Sequence, residues 1–313
     1  MRTFILGRLA TLVLICLAAS FLVFLSLHLA PGSPENFLVR GNSVTAETLR
    51  AVRAQYSLDD PFIVQYWNWL TNAVQGDFGR SLQFRQSVSG LIESRLPTTL
   101  FLVGYAALLI FVVGIGLGVL AAVKRGTVNS IVLVVTSIGT ATPAFVAAIF
   151  LVTIFSVKLG WFPAFGNGSG FLDRVWHLTL PAIALAISSV ALVARATRSA
   201  MESELNAEYV ETARARGVPE RAVIWRHAFR NALGPIATLA GLLVSSLLVI
   251  TTLVETVFGL SGVGSLLVQA VNAKDFPVVQ AGVLLIVGAF VVTNAIVDIA
   301  YPWIDPRVRG RKR

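Results

Sequence analysis

Charge is scarce in this chain: only 13% of its 313 residues are Asp, Glu, Lys or Arg. It has one cysteine, Cys16, which can form neither an internal disulfide nor a thiolate metal cluster, so redox and zinc chemistry drop out. No G-x-x-x-x-G-K-[ST] phosphate loop occurs, so the chain is not itself an ATPase. Neither H-E-x-x-H nor G-x-S-x-G is present, and His28, His177 and His227 are scattered rather than set at ligand spacing. The apolar runs also lack the recurring acids of a proton-driven pump. No nucleophile–base pair or metal set remains for a membrane-embedded enzyme.

What is there is oil. Hydrophobic residues make up 56% of the chain and the mean hydropathy is +0.77, more apolar surface than a soluble protein can hide. Six charge-free stretches, 9–30, 96–123, 126–157, 175–194, 231–254 and 276–297, are each about 20 residues or longer, enough to cross a hydrocarbon core of roughly 30 Å. The expectation is an all-α polytopic membrane protein with six transmembrane helices. The first stretch follows Arg2 and Arg8, as a signal peptide would, but its apolar core is too long and no A-x-A site closes it, so it reads as an uncleaved span. The net charge of +9 is a topology signal rather than a nucleic-acid signal: 16 of the 25 basic residues fall in the segments this threading puts inside. Both termini come out cytoplasmic.

The chain then divides into 1–30 (N-terminal segment and first span), 31–97 (an extracytoplasmic region), 98–302 (a five-helix core) and a basic cytoplasmic tail, 303–313. Within 31–97, a short helix is expected at 47–56. A second opens at Pro61, with Ile63, Tyr66, Trp67, Leu70 and Val74 on one face and Gln65, Asn68, Asn72 and Gln75 on the other. Its tryptophans suit a membrane interface, or the helix packs on the body of the protein. Gly114, Gly116 and Gly118 in the second span read as small residues for close helix approach, not as a nucleotide loop. In the third span Pro143 breaks the backbone ladder; Ser137, Thr140 and Thr142 either re-satisfy it or line a pathway. Ser188 and Ser189 in the fourth span and Ser245 and Ser246 in the fifth, which begins at Pro235, are the other pathway candidates. Asp298, near the inner interface, is expected to pair with a basic cytoplasmic side chain.

One polar island interrupts this core, the cytoplasmic loop 199–234. Glu202, Glu204, Glu208 and Glu211 gather early in a first helix that Arg214 and Arg216 close, complementing the helix dipole. Gly217 suits a left-handed position after that helix, and Pro219 the first position of a second, roughly 219–233. The pattern is a helix–turn–helix elbow; composition alone also fits a solvated connecting loop.

The residues Tyr209-Val210-Glu211-Thr212-Ala213-Arg214-Ala215-Arg216-Gly217, followed by His227-Ala-Phe-Arg230-Asn231-Ala-Leu233, resemble the "EAA" loop of bacterial ABC-importer permeases of the oligopeptide/dipeptide/nickel branch. So do Ser57-Leu-Asp59-Asp60-Pro61, Gly76-Asp77-Phe-Gly79-Arg-Ser81, Arg95-Leu-Pro97-Thr-Thr99, Lys158-Leu-Gly-Trp161, Phe258-Gly-Leu-Ser261-Gly262, Asp275-Phe-Pro277 and Asp305-Pro-Arg307, although the family often has proline where Ser261 stands. The resemblance implies the type I importer permease fold in a bacterial inner membrane. It implies a second homologous permease subunit, two ATPase subunits or domains, and an extracytoplasmic substrate-binding protein. ATP and Mg would be bound by the ATPase subunits, with no cofactor on this chain. On this resemblance the elbow couples to the ATPase: Ala213, Ala215 and Gly217 allow close approach, Tyr209 and Val210 fill a groove, and Glu211 and the arginines fix orientation. The competing class is an ATP-independent secondary transporter or channel subunit, which would need ionisable or broken-helix sites at mid-membrane.

Overall fold

The computed structural model describes residues 2–29, 59–81, 83–124 and 126–304, with side chains at 7, 10–26, 59–81, 83–124 and 126–296. The expected helix at 47–56 and the side chain of Asp298 lie outside the described residues. Among the described residues the elements are helices: α1 (Arg2–Leu29), α2 (Phe62–Val74), α3 (Val88–Leu109), α4 (Ile115–Val123), α5 (Thr127–Ala141), α6 (Ala144–Leu151), α7 (Gly170–Leu205), α8 (Glu208–Ala215), α9 (Glu220–Ala222), α10 (Arg230–Val257), α11 (Val263–Ala273) and α12 (Phe276–Ile304). Wider π turns at Ile110–Gly114 and Val223–Phe229 join α3 to α4 and α9 to α10, and another at Val152–Lys158 extends α6.

Four continuous helices are long and apolar enough to cross a membrane: Val88–Val123, Gly170–Leu205, Glu220–Val257 and Phe276–Ile296. The first three outrun the charge-free stretches that announced them. A 36-residue helix such as α7 is ~54 Å long, well beyond a hydrocarbon core of ~30 Å. Charges mark where hydrocarbon must stop, whereas the backbone ladder continues into water. Pro235, expected to open the fifth span, instead lies inside α10, so the elbow's second helix runs unbroken into the membrane.

The third stretch is not one straight helix. α5 and the α6 segment meet at a bend of 104°, with Thr142 and Pro143 extended between them. Proline has no N–H to donate and disfavours helix in the residue before it, so the ladder ends there. The hydroxyls answer locally: Thr142 Oγ1 donates to Ile138 O at 2.8 Å, and Thr140 Oγ1 reaches Thr136 O and Ser137 O, each at 3.0 Å.

The chain forms two compact units, residues 1–99 with 261–292, and residues 100–260 with 293–313. In the larger unit α7 is the axis. Its most apolar window is 61% buried, against 28–39% for the other three continuous spans, and it packs on α4, α5, α6 and α10. Glycine makes the closest of these approaches possible. A Cβ on Gly118 would stand 2.4 Å from Thr197 Cβ and 2.6 Å from Ala194 O; one on Gly114 would stand 3.0 Å from Val193. Gly116, which the sequence grouped with them, has nothing within 4 Å. Gly114 and Gly118 are one turn apart on a shared face, and Gly116 points away.

The smaller unit has its own core of Val88, Leu91, Ile92, Leu266, Ala270, Val278 and Ala281. Asp275, 1% exposed, ties its two chain segments together. Its Oδ2 accepts from Ser81 Oγ and from Gln83 N at 3.0 Å, while Ser81 Oγ accepts from Phe84 N at 2.9 Å. Thr99 Oγ1 likewise accepts from Val263 N at 2.9 Å.

Gly118→Leu is expected to destabilise the protein by about 1–3 kcal/mol through overpacking against α7, and Gly116→Leu to stay within about 0.5 kcal/mol of wild type. Thermal unfolding in detergent, followed by tryptophan fluorescence, compares the pair; equal midpoints would disprove the packing assignment.

Candidate functional site

α7 carries the chain out of its apolar stretch and ends at Leu205 with no glycine or proline to stop it. Ala207 is extended (φ −78°, ψ 145°) and α8 begins behind it, with Glu208 and Glu211 in its first turn and Arg214 in its last. Glu202 and Glu204, assigned by sequence to this first elbow helix, belong to the end of α7 instead. Gly217 has φ +77°, the left-handed conformation expected of it. Its N–H donates to Arg214 O at 2.9 Å and Val218 N–H to Ala213 O at 3.1 Å, the paired bonds of a Schellman ending. Nothing lies within 4 Å of a Cβ placed there, so within this chain the backbone sign, not space, calls for glycine. Pro219 (φ −61°, ψ 141°) caps α9, accepting from Ala222 N at 2.8 Å and Val223 N at 3.1 Å.

Eight residues of helix leave room for one inward stripe. Val210 is fully buried and Ala213 nearly so, at i and i+3, while Glu208, Tyr209, Glu211, Thr212, Arg214 and Ala215 are exposed, with Arg216 and Gly217 after them. Of the six residues expected to act together, Tyr209, Glu211, Ala215 and Gly217 therefore face outward. Val210 and Ala213 pack into their own chain and support the helix from behind.

Two side chains fasten α8 to its neighbours. The Tyr209 hydroxyl donates to the Glu204 carboxylate at the end of α7 and accepts from Asn231 Nδ2, at the start of α10, at 2.9 Å. Arg214 grips Glu220 with two prongs, Nε to Oε2 at 3.1 Å and Nη2 to Oε1 at 2.8 Å, and Nη1 donates to Leu205 O at 3.3 Å. That bidentate hydrogen bond holds the Glu220 carboxyl below its ordinary range and raises the Arg214 guanidinium. α8 is thereby fastened to the end of α7 and the start of α10. Sequence reasoning gave Tyr209 an outward role only and saw neither fastener. The partners come from three elements, and the Arg214–Glu220 pair spans the turn that Gly217 makes.

The pathway candidates scatter. Ser189 and Ser245 are buried, and Ser245 Oγ donates to Gly241 O at 3.1 Å; Ser188 and Ser246 are half-buried, the latter donating to Leu243 O at 2.6 Å. Ser137 is exposed and accepts from Arg195 Nη2 at 2.8 Å. Beside the bend of α5 and α6 opens an apolar cavity of about 620 Å3, lined by residues such as Val113, Leu117, Ile138 and Phe150. Its hydroxyls come from Thr136 and Thr142, not from Ser137 or Thr140.

Residues 114–310 match the family described as binding-protein-dependent transport system inner membrane component, and residues 1–103 match the N-terminal model of the same transport system's membrane component. A glutathione transport system permease protein, GsiC, of Shigella flexneri serotype 5b is 38% identical over 310 residues, covering 99% of each chain. A Brucella abortus (strain 2308) protein ascribed to a peptide transport system as its permease is 41% identical over 314 residues, again covering 99% of each. Among solved structures, a chain of the MetNI methionine ABC transporter in an inward-facing conformation aligns with a TM-score of 0.50 at 18% identity, over 71% of this chain and 97% of that one. A likeness at that identity speaks for the fold. With the family matched along most of the chain and the relatives along nearly all of it, the protein belongs to the inner membrane components of binding-protein-dependent transport systems, the membrane permeases of ABC importers.

Proposed function

We propose that this chain is one of two homologous permease subunits of an ATP-driven importer in a bacterial inner membrane, with six spans and both termini cytoplasmic. Four continuous helices and the bent pair support five of these spans, and α1 would be the sixth. Two ATPase subunits would bind ATP and Mg, an extracytoplasmic binding protein would deliver the solute, and this chain would hold no cofactor. The relatives named for peptide and glutathione transport support a peptide or similarly small solute as cargo.

The observation that carries the mechanism is the pinned elbow. α8 presents Glu208, Tyr209, Glu211, Thr212 and Ala215 outward on a helix too short to be stable alone, since isolated helices under about 12 residues are marginal. It is held by Val210 and Ala213 beneath and by the Tyr209 and Arg214 fasteners at its edges. An ATPase surface engaging that face would move α8 as a rigid piece, and α7 and α10 with it. The transmission needs no chemistry in this chain.

In proteoliposomes containing the partner subunits, Glu211→Arg is expected to lower ATP-dependent uptake at least tenfold while leaving insertion and assembly intact. Gly217→Val, which puts a β-branched side chain at φ +77°, is expected to do the same. Full uptake by both variants would defeat the coupling role. Arg214→Glu should also depress uptake, and Arg214→Glu with Glu220→Arg should recover much of it. Exposed ion pairs contribute only about 0–1 kcal/mol, so the single variant should still fold. A double variant no better than the single one would rule out the fastener.

A further inference from the structure

The helix α2 follows α1 in the smaller unit, and its surroundings place it more deeply than its position in the sequence does. Tyr66 Oη and Ser20 Oγ share a buried hydrogen bond of 2.8 Å, and Tyr66 Oη also donates to Leu17 O at 3.4 Å. Around that bond the rings interlock. Phe21 stands edge-on to Phe62 and Tyr66, at centroid separations of 5.9 and 5.4 Å, and Phe24 meets Phe62, Tyr66 and Trp69 at 5.5–5.6 Å. These partners on α1, Leu17 to Phe24, lie roughly 7–18 Å short of the helix end at Leu29. α2 is therefore packed beside the apolar shaft of α1 and not beyond its end.

The remaining surface of α2 fits that depth. Residues 61–76 carry no charge, and acids stand just outside them, Asp59 and Asp60 before and Asp77 after. Around the helix three sectors follow from the 100° step per residue. Phe62, Gln65, Tyr66 and Trp69 face α1. Asn68, Thr71, Asn72 and Gln75, with Val64 among them, form an uncharged, mainly polar sector that is exposed throughout. Ile63, Trp67 and Val74 form the third, at 54%, 54% and 81% exposure, and the neighbouring α1 likewise exposes apolar side chains at Leu14, Leu17, Phe21 and Leu22.

We propose that this third sector contacts lipid: α2 lies in the outer leaflet, flat against the first span, with Ile63, Trp67 and Val74 in the acyl region and the amides toward the headgroups. The exposed apolar side chains of the neighbouring α1, the charge-free interval and the tryptophans all favour lipid over a soluble protein as the occupant. The placement rests on α1 being a span.

The test uses the full chain in proteoliposomes, in a Cys16→Ser background, with single nitroxide labels at the exposed positions Leu14, Ile63, Asn72 and Val74. Accessibility to oxygen reports lipid, and accessibility to a water-soluble nickel chelate reports water. Leu14, Ile63 and Val74 should each favour oxygen several-fold over nickel, and Asn72 the reverse. If Leu14 favours oxygen while Ile63 and Val74 respond to nickel as Asn72 does, the placement of α2 is wrong and the span stands. Ile63 and Val74 shielded from both reagents would mean protein covers this face, which also overturns the proposal. A Leu14 label in water removes the span itself and the proposal with it.

Discussion

The larger unit depends on how closely α4 can lie against α7. Lipid offers helices no hydrophobic drive to associate, because acyl chains are as apolar as leucine, so association falls to packing and internal hydrogen bonds. Gly114 and Gly118 let the backbones approach until Thr197 and the carbonyl of Ala194 fill the space a methyl group would take. α7 can then serve as the shared wall for α4, α5, α6 and α10. Those four helices are positioned by what they find on that wall.

α7 also leaves the apolar region still helical, with no break before the elbow. Here the helix runs on to Leu205, and the elbow begins two residues later under the hold of Glu204 and Leu205 O. On the far side, α9, the π turn and α10 run together through Pro235. One continuous helix thus flanks α8 on each side.

Much of this was legible in the sequence where one residue type has one strong preference. Gly217 called for positive φ and Pro219 for a helix start, so the elbow stood out against the oil. Charge-free length located the four continuous apolar helices and the bent pair for the same reason. Where preferences compete, the reading failed or stayed open. Pro235 can begin a helix or sit inside one, and tertiary packing chose the latter. The break at Asn206 and Ala207 contains neither glycine nor proline, so Glu202 and Glu204 were drawn into the wrong helix. Val210 and Tyr209 are adjacent, and nothing in an eight-residue helix says which one turns inward. The fasteners were illegible for a further reason: Glu204, Tyr209 and Asn231 become neighbours only after three elements have folded.

The link from Asp275 to Ser81 and Gln83 bears on how such permeases diversify. Family resemblance divides this chain at about residues 103–114, an N-terminal portion and a core, as though the first were an attachment. The molecule is not divided there. The helix from Val88 to Val123 passes straight through that boundary, and residues 261–292 of the core fold with the N-terminal portion. A buried carboxylate from one portion holds the loop of the other. Recombination between relatives that exchanged the N-terminal portion alone would strand Asp275 against an unfamiliar loop. A substitution in the loop around Ser81 is thus felt by a carboxylate 194 positions away.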